Sequence, residues 1–344
     1  MRCLVTGPDG FIGSHCVEHL LVNTDWEVLC LASWRHDGVP ERLSDSDHVK
    51  AERHRLRFFT HDLSAPISSV LRDKIGPVNY ILHFAADSNV DRSISDPCGV
   101  IKNNVDVTLS VMEYARKIEP EMVIQISTDE VYGPAQPGHR HKEWEPILPS
   151  NPYAASKAAQ EAIATSYWRT YGVPVVLTNT MNNIGERQSA DKFLPMIIRS
   201  ILAREPIYIH AQQEEGGIRI GSRHYLHARN HASACLHLLT MGRPSSYACP
   251  GRKPPHSDRP DRYNVVGDTE IDNLALALRV SEIMDMPLEY ELVDAHSSRP
   301  GHDLRYALDG SKLAAKSWVA PVPFQDSLER CVKWYMQNKE WLNV

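Results

Sequence analysis

One stretch near the beginning of the sequence constrains the fold more than any other. A short apolar run at residues 2–5 leads directly into TGPDGFIG and then into an apolar-periodic stretch over 12–22. Gly7, Gly10 and Gly13 thus form GxxGxxG between a first strand and a first helix. Glycines at this spacing let the backbone turn sharply and approach a pyrophosphate, whose charge rests on the helix N-terminus. Three glycines in a loop can be turn chemistry and nothing more. Their place immediately after a strand is what points to a dinucleotide.

Strand-like runs recur at 27–31, 56–60, 78–84 and 122–127, with helical patterns between several of them, notably 104–117. This alternation predicts a parallel sheet covered by helices, a doubly wound α/β fold. Ligands in such sheets lie beyond the carboxyl ends of the strands. From about Asn179 the character changes. Residues 192–203 and 271–284 look helical, separated by irregular polar stretches. Two exposed loops are expected, one at 212–222 around Gly216 and Gly217, and one at 242–262, dense in Pro, Arg and Ser. The expected organisation is a dinucleotide-binding domain over 1–178, to which a segment near 223–242 returns, and a smaller mixed α/β substrate domain over 179–344. No internal repeat is visible.

Composition removes other classes. At 344 residues, 42% hydrophobic and 23% charged, the chain can bury a real core. Its formal net charge of −6 argues against nucleic acid as the main partner. No apolar run approaches the roughly 18–20 residues that cross a bilayer, and no signal peptide is read. The seven cysteines are scattered and odd in number, with no CxxC pair, which predicts free thiols in a reducing cytoplasm. The 17 histidines show no HExxH-type spacing, so no metal is expected.

The cofactor and the chemistry are read from short motifs. A second strand that serves an unphosphorylated ribose normally ends in Asp or Glu. Here it runs into Leu31-Ala32-Ser33-Trp34-Arg35, without the acid. Ser33 and Arg35 suit a 2′-phosphate, which favours NADP over NAD. Asp62, after the third strand, could accept from the adenine amino group. Tyr153 and Lys157 form YxxxK on one face of a helix that follows Asn151-Pro152. A lysine one turn on favours the phenolate, so Tyr153 can take a proton from a sugar hydroxyl while hydride leaves the same carbon. Ile126-Ser127-Thr128 supplies the upstream strand end, with Thr128 able to bond the reacting hydroxyl.

Together these features resemble the extended short-chain dehydrogenase/reductase superfamily and, within it, the nucleotide-sugar 4,6-dehydratases, those acting on dTDP-glucose above all. The resemblance rests on Ser127-Thr128-Asp129-Glu130-Val131-Tyr132-Gly133, His83-Phe84-Ala85-Ala86, Val90-Asp91-Arg92-Ser93-Ile94, Asn151-Pro152-Tyr153-Ala154-Ala155-Ser156-Lys157 and Arg299-Pro300-Gly301-His302-Asp303. It implies a Rossmann-type sheet. It also implies a reaction: oxidation at C4 of the hexose, removal of the C5 proton by Glu130, and protonation of the departing C6 hydroxyl by Asp129. Hydride then returns to C6. Adjacent carboxyls in opposite roles need separated pKa values.

The resemblance also implies a dinucleotide site including Phe11, Ile12, Leu63, Ala85, Ala86 and Asn104, and a sugar-nucleotide site drawn from Ser88, Arg92, Asn182, Asn183, Lys192, Pro206, Tyr208, Arg223, Arg299 and His302. Departures from the family pattern fall at the substrate end: Asn89, Met181, Ile184-Gly185-Glu186, Ser222-Arg223-His224-Tyr225-Leu226 and Asn230. They leave dTDP-glucose ahead of UDP-sugars, and leave hydride return to C4 open. A same-fold epimerase and a non-catalytic cofactor-binding regulator are the competing readings. Family members commonly pair the helices at 104–117 and 153–171 into a dimer contact, so a homodimer is implied.

Overall fold

The computed structural model describes residues 1–35, 38–242, 257–294 and 303–343. Seven parallel strands form the central sheet: β1 (Arg2–Thr6), β2 (Glu27–Ala32), β3 (Leu56–Thr60), β4 (Tyr80–His83), β5 (Met122–Thr128), β6 (Val175–Thr180) and β11 (Asp261–Val265). Their spatial order is β11-β6-β5-β4-β1-β2-β3. Strand order reverses at β1, whose neighbours are β2 and β4, and a crevice opens at such a switch point. β5 and β6 are buried along their whole length, as strands covered on both faces must be.

Helices cover both faces. Phe11–Asn23 packs on Ala228–Thr240, closing a core that contains Val5, Val17, Leu20, Ile124 and Leu238. On the other face Pro97–Ile118 packs on Pro152–Tyr171 over Leu29, Ile81, Val111, Val123 and Trp168. Both of the latter helices begin on Pro, with Asp96 and Asn151 capping the N-termini through their side chains. Asn151 thereby fixes where Tyr153 and Lys157 start.

A third core belongs to the C-terminal region, where Ile197, Ile198, Leu276, Val280, Leu328 and Tyr335 are buried together. Two small sheets flank it. One joins β7 (Asn182–Ile184), β10 (Ser222–His227) and β12 (Glu270–Asp272); the other joins β8 (Ile207–Glu214), β9 (Gly217–Ile220) and β13 (Tyr290–Asp294). No described helix is long and apolar enough to cross a membrane.

Two expected loops turn out differently. Residues 212–222 are largely a hairpin, with β8 antiparallel to β9 and Glu214 opposite Gly217, whose φ of 128° only glycine adopts freely. Of the loop expected at 242–262, residues 243–256 lie outside the described residues. Its last two residues begin β11, and Arg262 is buried rather than exposed. Its guanidinium meets Glu161 at 2.5 Å and Tyr132 Oη at 3.2 Å, and stacks over Trp144. Those partners are what make a buried arginine tolerable.

Candidate active site

A cleft of about 450 Å³ runs along the carboxyl ends of β1, β2, β5 and β6. At one end the chain leaves β1 through Gly7, which has φ +63°, and re-enters the helix Phe11–Asn23. A Cβ on Gly13 would stand 2.1 Å from the Gly7 carbonyl oxygen, and one on Gly7 would press on the Ala85 backbone at 3.1 Å. Glycine is therefore enforced at both positions. The helix N-terminus, with its unbonded N–H groups, opens onto the cleft without a side chain in the way, a cradle that fits a pyrophosphate. Phe11, Ile12, Ser33, Arg35, Asp62, Leu63, Ala85 and Ala86 line the same end. Arg35 is ion-paired with Asp62 across the tips of β2 and β3.

Thr128 ends β5, and a 3₁₀ turn over Asp129–Tyr132 follows. The Thr128 hydroxyl donates to Asp129 Oδ1 at 3.0 Å and accepts from the Glu130 amide at 3.4 Å. Asp129 is buried, and its Oδ2 has no partner among the described residues. Burial, helped by the nearby Glu130, pushes its carboxyl up to about 7. Burial raises Glu130 as well, but here the Asn151 amide donates to Oε2 at 3.0 Å and the Arg223 charge helps hold the carboxylate. Each carboxyl thus accepts one side-chain hydrogen bond, Asp129 from Thr128 and Glu130 from Asn151, and the Oδ2 of Asp129 is left buried without a partner among the described residues.

Tyr153 and Lys157 lie on the first turns of Pro152–Tyr171 and face the cleft beside Thr128, Asp129 and Glu130. Burial raises the Tyr153 phenol well above its ordinary value, and the Glu130 and Asp129 charges add to this, while its hydrogen bond with Thr128 opposes it. Lys157 is lowered to about 8 by burial, with Glu161 opposing. Its Nζ donates to the Ile126 carbonyl at 2.8 Å and to Gln160 Oε1 at 2.6 Å. The ammonium is thus anchored under β5, and the acid pair, rather than Lys157, dominates the field at the phenol.

Ser88, Asn182, Asn183 and Lys192 also line the cleft. Asn104 does not; it is fully buried behind the wall, where its side chain bonds the backbone of Asp87 and the Ser156 hydroxyl. Arg92 pairs with Asp87 at 2.9 Å. Arg223 reaches the acid pair by its field while donating to the carbonyls of Ser222, Asp303 and Leu304. Tyr208 is exposed on β8, and neither it nor Pro206 lines the cleft. Arg299 and His302 lie outside the described residues.

Two residues missed by sequence reasoning adjoin the acid pair. Tyr306 lies against Arg223, and its buried hydroxyl is raised by burial and then by Glu130 and Asp303. Asp303 accepts from Ser150 at 2.6 Å, tying the C-terminal region to the residue before Asn151. Asp303 belongs to a motif already singled out; Tyr306 carried no signal beyond lying three residues after it. Metal-compatible clusters among the described residues lie elsewhere, at His139-His141-Glu145 and Glu186-His227-Cys331, and the acids in both already bond their histidine neighbours.

Residues 3–249 match the NAD dependent epimerase/dehydratase family. The chain belongs to that family. Its relatives within the NAD-dependent epimerases/dehydratases extend over the full length. A probable dTDP-glucose 4,6-dehydratase of Sinorhizobium fredii is 32% identical, covering 99% of this chain and 94% of its own. The dTDP-glucose 4,6-dehydratase of Salmonella typhimurium is 30% identical over 100% of this chain and 95% of its own. Among solved structures, the dTDP-glucose 4,6-dehydratase of Streptomyces venezuelae, with NAD bound, superposes with a TM-score of 0.84 at 32% identity, covering 99% of this chain and 98% of that one.

Proposed function

We propose that this chain is a nucleotide-sugar 4,6-dehydratase that converts an NDP-hexose, dTDP-glucose first among candidates, to its 4-keto-6-deoxy derivative. The observation that carries the proposal is the pairing of Asp129 and Glu130, each with its own hydrogen-bond partner, beside Tyr153 in one cleft. An epimerase has no use for such a pair. A nicotinamide dinucleotide, when bound, supplies hydride acceptance from C4 and hydride return to C6. Gly7, Gly10, Phe11, Ile12 and Gly13 would hold its pyrophosphate, and Tyr153 and Lys157 its nicotinamide ribose. NAD is the form carried by the Streptomyces relative. The case for NADP rested on Arg35, one of whose donors is engaged by Asp62.

The residues then divide the work. Tyr153 accepts the C4 hydroxyl proton in its phenolate form, which the hydrogen bond with Thr128 favours against burial and the acid pair. The resulting ketone acidifies the C5 proton, which Glu130 takes, its charge held by Asn151 and Arg223. Asp129, whose raised pKa of about 7 keeps a protonated fraction at neutral pH, gives its proton to the C6 hydroxyl, which leaves as water. Glu130 returns a proton to C5 as C6 receives hydride, and the proton gained by Tyr153 makes good the one given up by Asp129, so the sugar loses one water and no net oxidation occurs. Asn182, Asn183 and Lys192 face the cleft where a sugar diphosphate would extend. The helices Pro97–Ile118 and Pro152–Tyr171 would form a homodimer contact; Ile101 and Leu109 are exposed on the first of them.

The test is incubation with dTDP-glucose and, separately, UDP-glucose, followed by the alkali-induced absorbance of a 4-keto product. Product from dTDP-glucose is expected. Absence of any keto product from either, by a protein that binds the dinucleotide, contradicts the proposal.

A further inference from the structure

If the cleft takes a dinucleotide, as proposed above, its ribose needs a partner that β2 does not provide. After Ala32 come Ser33, Trp34 and Arg35, and the last two turn onto the neighbouring strand end: Trp34 Nε1 donates to Thr60 Oγ1 at 3.1 Å, and Arg35 pairs with Asp62. A carboxylate reaches the same region from another segment. Asp9 lies inside the glycine loop, between Gly7 and Gly10, and lines the cleft together with Ser33, Arg35 and Gly38.

Asp9 is only 5% exposed. Its carbonyl accepts from the Val39 amide and from Arg42 Nη1, both at 3.0 Å, which binds the glycine loop to the chain following β2. The side chain follows the same direction. A Cβ on Gly38 would stand 2.1 Å from Asp9 Oδ2, so glycine there leaves the space that the carboxylate occupies. Its own backbone amide donates to the carboxylate. Burial raises its pKa, opposed by that amide and then by the Arg42 charge. Arg42 is itself buried and held by the Arg187 carbonyl and the Ser189 hydroxyl, which fixes that charge beside the loop.

We propose that Asp9 binds the adenosine ribose hydroxyls of the dinucleotide, in place of an acid at the end of β2, and that it thereby selects NAD against NADP. Two vicinal hydroxyls would add donors to a buried carboxylate that no other side chain is found to bond among the described residues, and hydrogen bonds to a charged group are the strong ones. A 2′-phosphate would set a second anion against it in a poorly solvated corner, where repulsion is weakly screened. Selectivity has moved from the strand end into the glycine loop.

Equilibrium titration of the full chain with NAD and with NADP, read by ligand-induced thermal stabilisation and by intrinsic fluorescence, tests this. The parent is expected to bind NAD at least about tenfold more tightly than NADP. Asp9→Asn keeps the size and removes the charge. It is expected to shrink that ratio by about tenfold or more, through weaker NAD and stronger NADP binding. Gly38→Ala, which crowds the carboxylate, is expected to weaken NAD in the same direction and covers the case in which the Asn variant does not fold. A purely structural Asp9 would weaken both dinucleotides alike, and an unchanged ratio in a folded Asp9→Asn overturns the assignment, as does a parent that prefers NADP. A parent that binds neither dinucleotide overturns the reading of the whole cleft.

Discussion

Burial raises both carboxyls, Asp129 to about 7, while at Glu130, one residue later, the Asn151 amide and then the Arg223 charge oppose the rise. The proposed acid and base roles draw on the partner each carboxyl has, and the raised Asp129 also leaves a stability signature. Asp129 has a higher pKa folded than unfolded. The folded protein is therefore most favoured below the unfolded value of about 4, and loses that advantage as pH rises through about 7. Asp129→Asn removes the penalty. It is expected to be more stable than the parent by about 1–3 kcal/mol at about pH 8 and nearly equal at about pH 4, while losing turnover. Urea titrations at the two pH values check this; an equal difference at both would contradict it. Glu130→Gln should separate the steps in a different way. It is expected to develop the near-ultraviolet absorbance of a reduced nicotinamide on adding substrate, yet release no keto-deoxy product. Normal turnover of that variant would remove Glu130 as the base.

The sheet strands were readable from their apolar runs because strands covered on both faces carry little else, and the run at 27–31 falls within β2, buried from Val28 to Ala32. The hairpin at 207–220 was not, because its outer face and tip are polar; only the alternation of buried Ile207, Ile209 and Ala211 with exposed Tyr208 betrays β8. Arg262 was hidden for another reason. It follows a run of Pro, Arg and Ser, and nothing local reveals that Glu161, 101 positions earlier in the chain, comes to meet it. This pair ties β11 to the helix that carries Tyr153 and Lys157, and Glu161 also accepts from Asn179 at 2.7 Å. Removing one partner leaves a buried charge uncompensated. Arg262→Met is expected to cost about 3–5 kcal/mol in urea unfolding, and Glu161→Gln with Arg262→Met together less than the sum of the two. Strict additivity would show that the two side chains do not act as a pair.

Across the whole molecule, the motifs of the proposed active site were legible because each is a short run of neighbouring residues: the glycine loop after β1, Thr128-Asp129-Glu130 at the end of β5, and Tyr153 with Lys157 on the helix that Asn151 caps. The substrate end was less so. It is assembled from segments far apart, with Ser150 reaching Asp303 and Arg223 holding the carbonyls of Asp303 and Leu304, and such convergence leaves no local pattern. What the assembled cleft has to do is move hydride from one carbon of a hexose to another while water leaves between them. The fate of a deuterium placed at C4 of dTDP-glucose follows that movement directly. Nuclear magnetic resonance of the product is expected to find it at C6 of a 4-keto-6-deoxy sugar. Deuterium retained at C4, on an epimerised or an unsaturated sugar, would contradict the account.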